Sequence, residues 1–286
     1  MDGTATTEYW VHDLNPFIIQ FSEGLGLRWY GLSYVLGILG AIWILNRWIK
    51  KGRAPLRPGE GADVALYAGL GMVVGGRLGY SLLYASDRFF QDPLYFFRIW
   101  EGGMASHGGI LGIIVGLCLF AWRRQRNLLV LTDMIAAVAP LGVALGRIAN
   151  FINGELWGRP AEVAWAVIFP VAPKINGEMV PRHPSQLYAA FLEGFLLLVL
   201  LLTIHARHRK PGLTTASFFL LYGIGRFVDE FWREPDVGQP VFYGWMSKGQ
   251  AFTIPVFFLG ILLLGWTFWR GAKPGAYGAP PEPKKA

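Results

Sequence analysis

Seven apolar runs, separated by short polar segments, dominate the pattern of hydrophobic and polar residues along the chain. Each run is close to the roughly 20 residues that a helix needs to cross the hydrocarbon core of a bilayer. The pattern therefore predicts an all-α integral membrane protein with seven transmembrane helices. The predicted spans are 29–46, 62–84, 104–122, 128–148, 184–204, 213–231 and 251–269.

Basic residues between the runs predict the orientation of these helices. The segments that follow the first, third, fifth and seventh runs hold 15 Lys and Arg residues, whereas those on the opposite side hold seven. Because short cytoplasmic loops are enriched in Lys and Arg, we expect the N-terminus outside and the C-terminus in the cytoplasm. The first 16 residues contain no Lys or Arg, so we do not expect a cleaved signal peptide there.

This topology predicts five parts of the chain. In the connection between helices 4 and 5, residues 163–169 resemble a strand and Asn176-Gly177 is a hairpin-type turn signal, which predicts a small outer cap. The tail is rich in Pro, Gly and Lys, which is typical of disorder. The expected parts are an N-terminal outer or interfacial segment (1–28), transmembrane helices 1–4 (29–150), a periplasmic cap (151–183), transmembrane helices 5–7 (184–270) and a disordered cytoplasmic tail (271–286).

Composition supports a membrane protein. Hydrophobic residues make up 53% of the chain and charged residues 16%, and the mean hydropathy is +0.37. The net charge of +7 lies in short blocks between apolar runs rather than along one face, so we do not expect a nucleic acid partner. The single cysteine, Cys118, excludes a disulfide framework and thiolate metal sites, and no His–carboxylate cluster has the spacing of metal ligands.

A dense group of polar residues lies at the end of the fourth run. Ionisable groups at the edge of the hydrocarbon layer cost several kcal/mol unless they are paired, hydrated or used, so such a group predicts a functional site. Residues 146–159 contain two Arg, two Asn and a Glu, namely Arg147, Arg159, Asn150, Asn153 and Glu155.

Further arginines lie in or near other runs. Arg226, Glu230 and Arg233 share one helix face, because they are spaced i,i+4 and i,i+3. Two interpretations remain open for Arg226–Glu230: an ion pair that only locks helices together, or part of a site. Arg147 and Arg77, on other helices, favour an anion site, and planar Arg–phosphate pairing favours a phosphate. For Arg77 itself we favour a structural brace over a third phosphate ligand.

His107 lies at the expected outer mouth of the third run, before Gly108-Gly109. Its imidazole titrates near neutral pH, and the glycines would allow a substrate to come close, so His107 is a candidate general base. The alternative is a satisfied polar contact without a catalytic role.

The other histidines predict less chemistry. His183 opens the fifth run, and we favour a helix start in which Pro184 occupies the first turn and Ser185 or Gln186 caps it. We expect His12, His205 and His208 to be solvated or interfacial.

Glycine spacing leaves a second function class open. The glycines four residues apart favour close helix packing, but a transporter would also combine Gly-broken helices with arginines. A membrane transporter for an anionic solute or lipid is therefore the alternative to an enzyme, although we detect no inverted repeat. A structural scaffold would not require so dense a polar cluster. The glycine sets are Gly71/Gly75/Gly79, Gly112/Gly116 and Gly142/Gly146.

Several motifs, in order along the chain, resemble those of the bacterial prolipoprotein diacylglyceryl transferases. The longest resembles the signature of that family, although Ala149 stands where Gly is commoner and Ser106 where an aromatic residue often precedes the histidine. Together the motifs cover the chain from about Trp29 to Pro235. They are Arg28-Trp29-Tyr30-Gly31, Gly75-Gly76-Arg77-x-Gly79-Tyr80, His107-Gly108-Gly109, Gly146-Arg147-x-Ala149-Asn150-Phe151-Ile152-Asn153-x-Glu155-x-x-Gly158, His183-Pro184-Ser185-Gln186-Leu187-Tyr188 and Tyr222-Gly223-x-x-Arg226-x-x-x-Glu230-x-x-Arg233-Glu234-Pro235.

The resemblance implies a reaction in the bacterial inner membrane, with the active site toward the outer leaflet. The diacylglyceryl group of phosphatidylglycerol would move to the lipobox cysteine thiol of a prolipoprotein, forming a thioether and releasing glycerol phosphate. The partners implied are phosphatidylglycerol, membrane lipid and the signal peptide of the prolipoprotein. No metal or cofactor is implied, because the arginines supply the cation.

The resemblance also implies roles for individual residues. Arg147 and Arg226 would hold the phosphate and stabilise its developing charge, and His107 is the candidate base for the substrate thiol. The remaining residues would bind the substrate head group or hold the arginines in place. They are Tyr30, Asn150 and Glu155 for the head-group glycerol, Glu230 for orienting Arg226, and Asn153, Gly158 and Arg233 by resemblance alone.

Overall fold

Helices make up most of the protein in its computed structural model, which describes residues 8–22, 25–98, 101–208, 210–235, 242, 244–271 and 277. The helical elements are α1 (Trp29–Lys50), α2 (Glu60–Leu83), α3 (Ser86–Gln91), a 3₁₀ helix (Pro93–Phe97), α4 (Ser106–Arg124), α5 (Leu128–Ile152), α6 (Ser185–Ala189), a π-helical segment (Ala190–Leu196), α7 (Leu197–His208), α8 (Leu213–Asp229) and α9 (Lys248–Trp269).

Each of the seven predicted spans overlaps one of these helices. Within the part of the chain that the structure describes, four helical stretches are long and apolar enough to cross a membrane, and one of them combines α6, the π-helical segment and α7. The other three runs form α2, α4 and α8. The chain is thus a mostly helical membrane protein. The four stretches are Trp29–Lys50, Leu128–Ile152, Ser185–His208 and Lys248–Trp269.

The α5 helix lies at the centre of the helical bundle. It packs against α1, α7, α8 and the π-helical segment, and its residues Met134, Ala137 and Ala144 have no solvent exposure. Because α5 is surrounded by other helices, Asn150 at its C-terminal end is buried. Arg147, one turn earlier, is partly buried, with 19% of its side chain exposed.

Glycines allow α2 and α4 to pack backbone against backbone. A Cβ atom on Gly75 would lie 2.7 Å from Cα of Gly112, and one on Gly79 would lie 3.0 Å from Cα of Gly108. The packing interpretation is therefore confirmed for this helix pair. The close-packing interpretation is wrong for Gly146, where a Cβ atom would meet nothing within 4 Å.

A buried polar cluster lies at the opposite end of α5, around Asp133. Its carboxylate accepts hydrogen bonds from the backbone N–H groups of Gly212 (2.7 Å) and Thr215 (2.8 Å), at the start of α8, and from the hydroxyl of Tyr277 (3.1 Å). His205 is buried beside Tyr277 rather than solvated or interfacial as expected. Of the predicted disordered tail, the structure describes Gly271 and the buried Tyr277, and the other residues lie outside the described part.

Short β-strands lie at the end of the helical bundle where residues 153–184 connect α5 to α6. In one sheet, β1 (Trp10–Val11) pairs in parallel with β4 (Val167–Ile168), which pairs antiparallel with β5 (Pro181–Arg182). In the other, β2 (Phe17–Ser22) pairs antiparallel with β3 (Leu25–Arg28). The strand predicted over 163–169 is thus limited to two residues.

The turn predicted at Asn176-Gly177 is confirmed. Both residues have positive φ angles, 51° and 85°, as a type I′ turn requires. The flanking Ile175 and Glu178 exchange backbone hydrogen bonds of 2.9 and 3.0 Å.

His12 ties the N-terminal segment to the end of α5. Its backbone N–H donates to the carbonyl of Ile168 (2.8 Å), and its Nε2 lies 2.7 Å from the carbonyl oxygen of Phe151. The expectation of a solvated or interfacial residue is wrong, because the aromatic rings of Phe151 and Phe169 enclose the imidazole and leave it 8% exposed.

Candidate active site

The polar motif at the end of α5 folds around one carboxylate. Asn150 lies in the last turn of α5, and after the helix ends Gly154 turns the chain back with a φ of 66°. Asn150 Nδ2 donates to Glu155 Oε1 over 2.7 Å, and Asn153 Nδ2 donates to the same oxygen over 3.2 Å. Two side-chain amides therefore fix the position of the Glu155 carboxylate.

The start of α6 holds this motif through its backbone. Gln186 Nε2 donates to the carbonyl of Glu155 (2.6 Å), and Ser185 Oγ donates to the carbonyl of Leu156 (3.0 Å), a residue with a positive φ of 58°. The predicted capping role is wrong: Pro184 is the N-cap residue, and no side chain caps α6. Ser185 and Gln186 instead stabilise a turn that requires an unusual backbone conformation.

Glu193 joins the two arginines that the sequence analysis singled out. It lies in the π-helical segment with no solvent exposure, 3.0 Å from Arg147 Nη2 and 3.7 Å from Arg226 Nη1. The sequence analysis missed this residue. A signal was available, because a lone carboxylate inside an apolar run is itself a functional-site hypothesis.

Arg226 also pairs with two carboxylates at the end of its own helix. Its Nη2 lies 2.5 Å from Glu230 Oε2, and its Nη1 lies 3.3 Å from Asp229 Oδ2. The predicted Arg226–Glu230 pair is confirmed. Two guanidinium groups thus face three carboxylates, so the formal charge of the cluster is −1 when all three are ionised.

Glu230 connects the arginine cluster to α9. Ser247 Oγ donates to Glu230 Oε1 (2.9 Å), while Ser247 and Gln250 form a capping box at the start of α9. A Cβ atom on Gly249 would overlap the Glu230 carboxylate. Glycine here leaves room for the carboxylate to lie against the first turn of α9, where the helix dipole favours a negative charge.

A cavity of about 410 Å³ opens beside Glu230. His107 lines it from the first turn of α4, and its ring lies 6.0 Å from that of Phe252 on α9. The cavity thus brings the candidate base close to the carboxylate that pairs with Arg226. Among the described residues, the lining is Tyr80, Tyr84, Met104, Ala105, His107, Glu230, Arg233, Pro235, Ser247, Lys248, Gly249 and Phe252.

Arg77 has the contacts of a brace. It is 1% exposed, and its guanidinium donates to backbone carbonyls in and after the 3₁₀ helix. This supports the structural interpretation over a third phosphate ligand. The acceptors are the carbonyl oxygens of Tyr95 (2.6 Å), Phe96 (3.0 Å), Arg98 (2.9 Å), Gly103 (3.2 Å) and Gly102.

Gly158 lies where the α5–α6 connection crosses the end of α8. It forms a β-bridge with Arg233, and the backbone N–H of Gly158 donates to the carbonyl of His183 (2.9 Å). A Cβ atom would lie 2.7 Å from the Trp232 carbonyl oxygen and 2.7 Å from Cβ of His183. The structure thus gives Gly158 a packing role and places Arg233 at the cavity wall.

Tyr30 and His183 have mainly local contacts. Tyr30, at the start of α1, accepts a hydrogen bond from the hydroxyl of Tyr34 (3.2 Å) and is 37% exposed. Among the described residues, its hydrogen bonds and ring contacts are with Ser33 and Tyr34, on its own helix. His183 Nδ1 lies 3.1 Å from the Tyr188 hydroxyl, and burial lowers the pKa of its imidazole below the ordinary value of 6.5. His183 is therefore neutral at neutral pH.

Comparisons with known proteins all point in one direction. The family described as prolipoprotein diacylglyceryl transferase matches residues 16–266. A protein from Photobacterium profundum is 41% identical over 255 residues, which cover 89% of this chain and 94% of that protein. One from Vibrio campbellii is 40% identical over 259 residues (91% and 93%), and one from a Shewanella species is 42% identical over 260 residues (88% and 95%). All three relatives are named phosphatidylglycerol–prolipoprotein diacylglyceryl transferase.

Proposed function

The chain belongs to the prolipoprotein diacylglyceryl transferase family, and from that premise we propose that it transfers the diacylglyceryl group of phosphatidylglycerol to a cysteine thiol of a prolipoprotein. The thiol sulfur forms a bond to the glycerol carbon that bears the phosphate. The bond from that carbon to the phosphate oxygen breaks, and its electron pair stays on the oxygen. Glycerol phosphate leaves, and the thiol gives up its proton. The product is a thioether.

The proposed site rests on one observation, which is that Arg147 and Arg226 both pair with the carboxylate of Glu193. They come from α5 and α8, and the buried carboxylate between them sets the separation of their guanidinium groups. Each guanidinium has five N–H donors, enough to hold a carboxylate and a phosphate oxygen together. In this role the arginines bind the lipid phosphate and stabilise the charge that develops on the leaving oxygen. Fixed donors of this kind contribute on the order of 3 kcal/mol each to transition-state stabilisation.

His107 is the proposed base for the thiol proton. The support is its position on the wall of the cavity that also contains Glu230, the partner of Arg226. Because the thiolate and not the thiol is the nucleophile, a base at this place speeds the attack.

The Asn150–Asn153–Glu155 cluster is the proposed binding site for the head-group glycerol. Its carboxylate, fixed by two amides, can accept a hydrogen bond from a glycerol hydroxyl. The exposed Tyr30 remains a proposed contact of the head group at the lipid side. Arg233 is a proposed binding residue on the cavity wall, and Gly158 supports it through the β-bridge.

The proposed arrangement in the membrane follows from charge and from the position of the site. Seven helices cross the inner membrane with the N-terminus outside and the C-terminus in the cytoplasm, and residues 151–183 form a periplasmic cap. The polar cluster lies at the end of α5 that leads into this cap, so the active site faces the outer leaflet. The lipobox cysteine of the preprotein reaches it from that side.

Mass spectrometry of a synthetic lipobox peptide tests the proposal. Wild type in detergent with phosphatidylglycerol should add one diacylglyceryl group, and Arg226→Ala and His107→Gln should not. Arg124→Ala, an exposed arginine at the other end of the bundle, is the matched control and should retain activity. If folded wild-type protein produced no modified peptide, the transferase proposal would be wrong and the transporter would become the favoured function. If His107→Gln still transferred the group, His107 would not be the base.

A further inference from the structure

Three carboxylates contact the terminal nitrogens of Arg226. Nη2 lies 2.5 Å from Glu230 Oε2, and Nη1 lies 3.3 Å from Asp229 Oδ2 and 3.7 Å from Glu193 Oε1. Planar pairing of a guanidinium with a phosphate uses the same kind of N–H donor. A phosphate that approaches these nitrogens therefore competes with a carboxylate that is already there.

Two of the three carboxylates are also held by a second residue. Ser247 Oγ donates to Glu230 Oε1 over 2.9 Å, and Arg147 Nη2 donates to Glu193 Oε2 over 3.0 Å. In each of them one oxygen contacts Arg226 and the other accepts a hydrogen bond from a different element. Glu230 and Glu193 are therefore fixed from two sides.

Asp229 is held less firmly than the other two. It is 1% exposed, yet within the part of the chain that the structure describes its Oδ1 accepts no hydrogen bond. Its Oδ2 accepts from Arg226 over 3.3 Å. Burial of a charged oxygen without a partner costs free energy, so the Asp229 contact is the easiest of the three to exchange.

The surroundings of Asp229 also disfavour its charge. Asp229 is the last residue of α8, where the partial negative charge of the helix C-terminus repels a carboxylate. The carboxylates of Glu193 and Glu230 repel it too, while Arg226 and Arg147 attract it. A phosphate bound by the two arginines would add a further negative charge beside Asp229, so the two anions exclude each other from Arg226.

We propose that Asp229 occupies Arg226 in the absence of lipid and is displaced from it by the phosphate of a glycerol phosphate group. This inference rests on the proposed function, which supplies such a group either in phosphatidylglycerol or as released glycerol phosphate. Because one ion pair is exchanged for another, Asp229 lowers the affinity of the site for phosphate and favours product release. The alternative is an i,i+3 ion pair that only orients Arg226.

Two variants distinguish these roles. Asp229→Asn keeps the shape of the side chain and removes its charge, and Asp229→Ala removes the carboxylate altogether. Asp87→Asn, at an exposed aspartate of α3, is the matched control. For each protein we would measure the Kd of phosphatidylglycerol and of glycerol phosphate by isothermal titration in detergent, and the kcat and KM of lipid transfer. A thermal melting curve of each variant checks that it is folded.

Both Asp229 variants should bind phosphate about tenfold more tightly than wild type, the difference expected when a charged competitor for one donor is removed. A lower Kd of phosphatidylglycerol identifies the lipid phosphate as the ligand that displaces Asp229. A lower Kd of glycerol phosphate alone identifies the released product. Unchanged or weaker binding in both folded variants would overturn the inference, and weaker binding is the result that the orienting ion pair predicts.

The titration also separates the inference from the proposed function. If wild type transfers no lipid but Asp229→Asn binds glycerol phosphate more tightly, the transferase is wrong and the exchange at Arg226 stands. If wild type transfers lipid and the Asp229 variants bind both ligands as wild type does, the exchange is wrong and the transferase stands.

Discussion

Glu193 lies 3.0 Å from Arg147, with its carboxylate wholly buried in the π-helical segment. The same carboxylate lies 3.7 Å from Arg226, so one acidic residue links two arginines that are 79 positions apart in the sequence. Removal of one member of a buried ion pair leaves an uncompensated charge, which costs about 3–5 kcal/mol. The site therefore depends on Glu193 for stability as well as for geometry.

Glu193→Ala should lower both stability and activity. We expect a marked decrease in melting temperature and a loss of diacylglyceryl transfer of about a hundredfold, because the guanidinium groups lose their common anchor. Glu193→Gln keeps the shape and should be less destabilising. Exposed Glu162→Ala is the control. Full activity of a folded Glu193→Ala protein would show that the arginines are positioned by other residues.

Gly249→Ala should disturb the link between α8 and α9. The new Cβ would overlap the Glu230 carboxylate and push it from Arg226 and Ser247, at a cost of about 1–3 kcal/mol. We expect a lower melting temperature and reduced transfer activity. Gly265→Ala is a matched control on the same helix, because its Cβ would meet nothing within 4 Å. Equal behaviour of the two variants would contradict the contact.

Asn150 and Glu155 should be energetically coupled. In a double-mutant cycle of Asn150→Ala and Glu155→Ala, scored by ln(kcat/KM), we expect a coupling energy of about 1–3 kcal/mol, as for residues in one hydrogen-bond network. The cycle with Asn153 in place of Asn150 should give a smaller value, because its hydrogen bond is 3.2 Å long rather than 2.7 Å. Additive effects for Asn150 would show that the two residues act independently.

The stability of the protein should depend on the protonation of His183. Burial lowers the pKa of its imidazole in the folded state below 6.5, so the unfolded chain takes up the proton first on acidification. The stabilising contribution is complete above pH 6.5 and is lost as the pH falls through the folded-state pKa. Melting temperatures from pH 8 to 5 should fall more steeply for wild type than for His183→Gln. Parallel curves would exclude this contribution.

Local patterns were sufficient for the helices and for some contacts within them. The seven apolar runs each overlap a helix, and the Arg226–Glu230 pair follows from i,i+4 spacing at the C-terminal end of α8. The turn at Asn176-Gly177 depends on two adjacent residues, and it too was predictable. In each case the interacting groups are close in sequence, so periodicity or turn chemistry is enough.

Contacts between distant segments were not predictable in this way. Glu193 meets Arg147 and Arg226 only because α5, α8 and the π-helical segment pack together. Ser185 and Gln186 were expected to cap their own helix, yet they bind carbonyl groups some 30 residues earlier in the chain. His12 is buried for the same kind of reason, since strand β1 joins a sheet formed by residues beyond α5.

The π-helical segment has one further consequence. Hydrogen bonds there run from i to i+5 rather than i to i+4, so each turn accommodates more residues than an α-helical turn. A helical wheel that assumes a constant 100° per residue over Ser185–His208 therefore assigns residues of α6 and α7 to the wrong relative faces. Glu193 lies in that segment and is buried, as are Leu197, Leu201 and His205 in α7. Deleting one residue from the segment would rotate α6 relative to α7 while leaving the composition of the span almost unchanged.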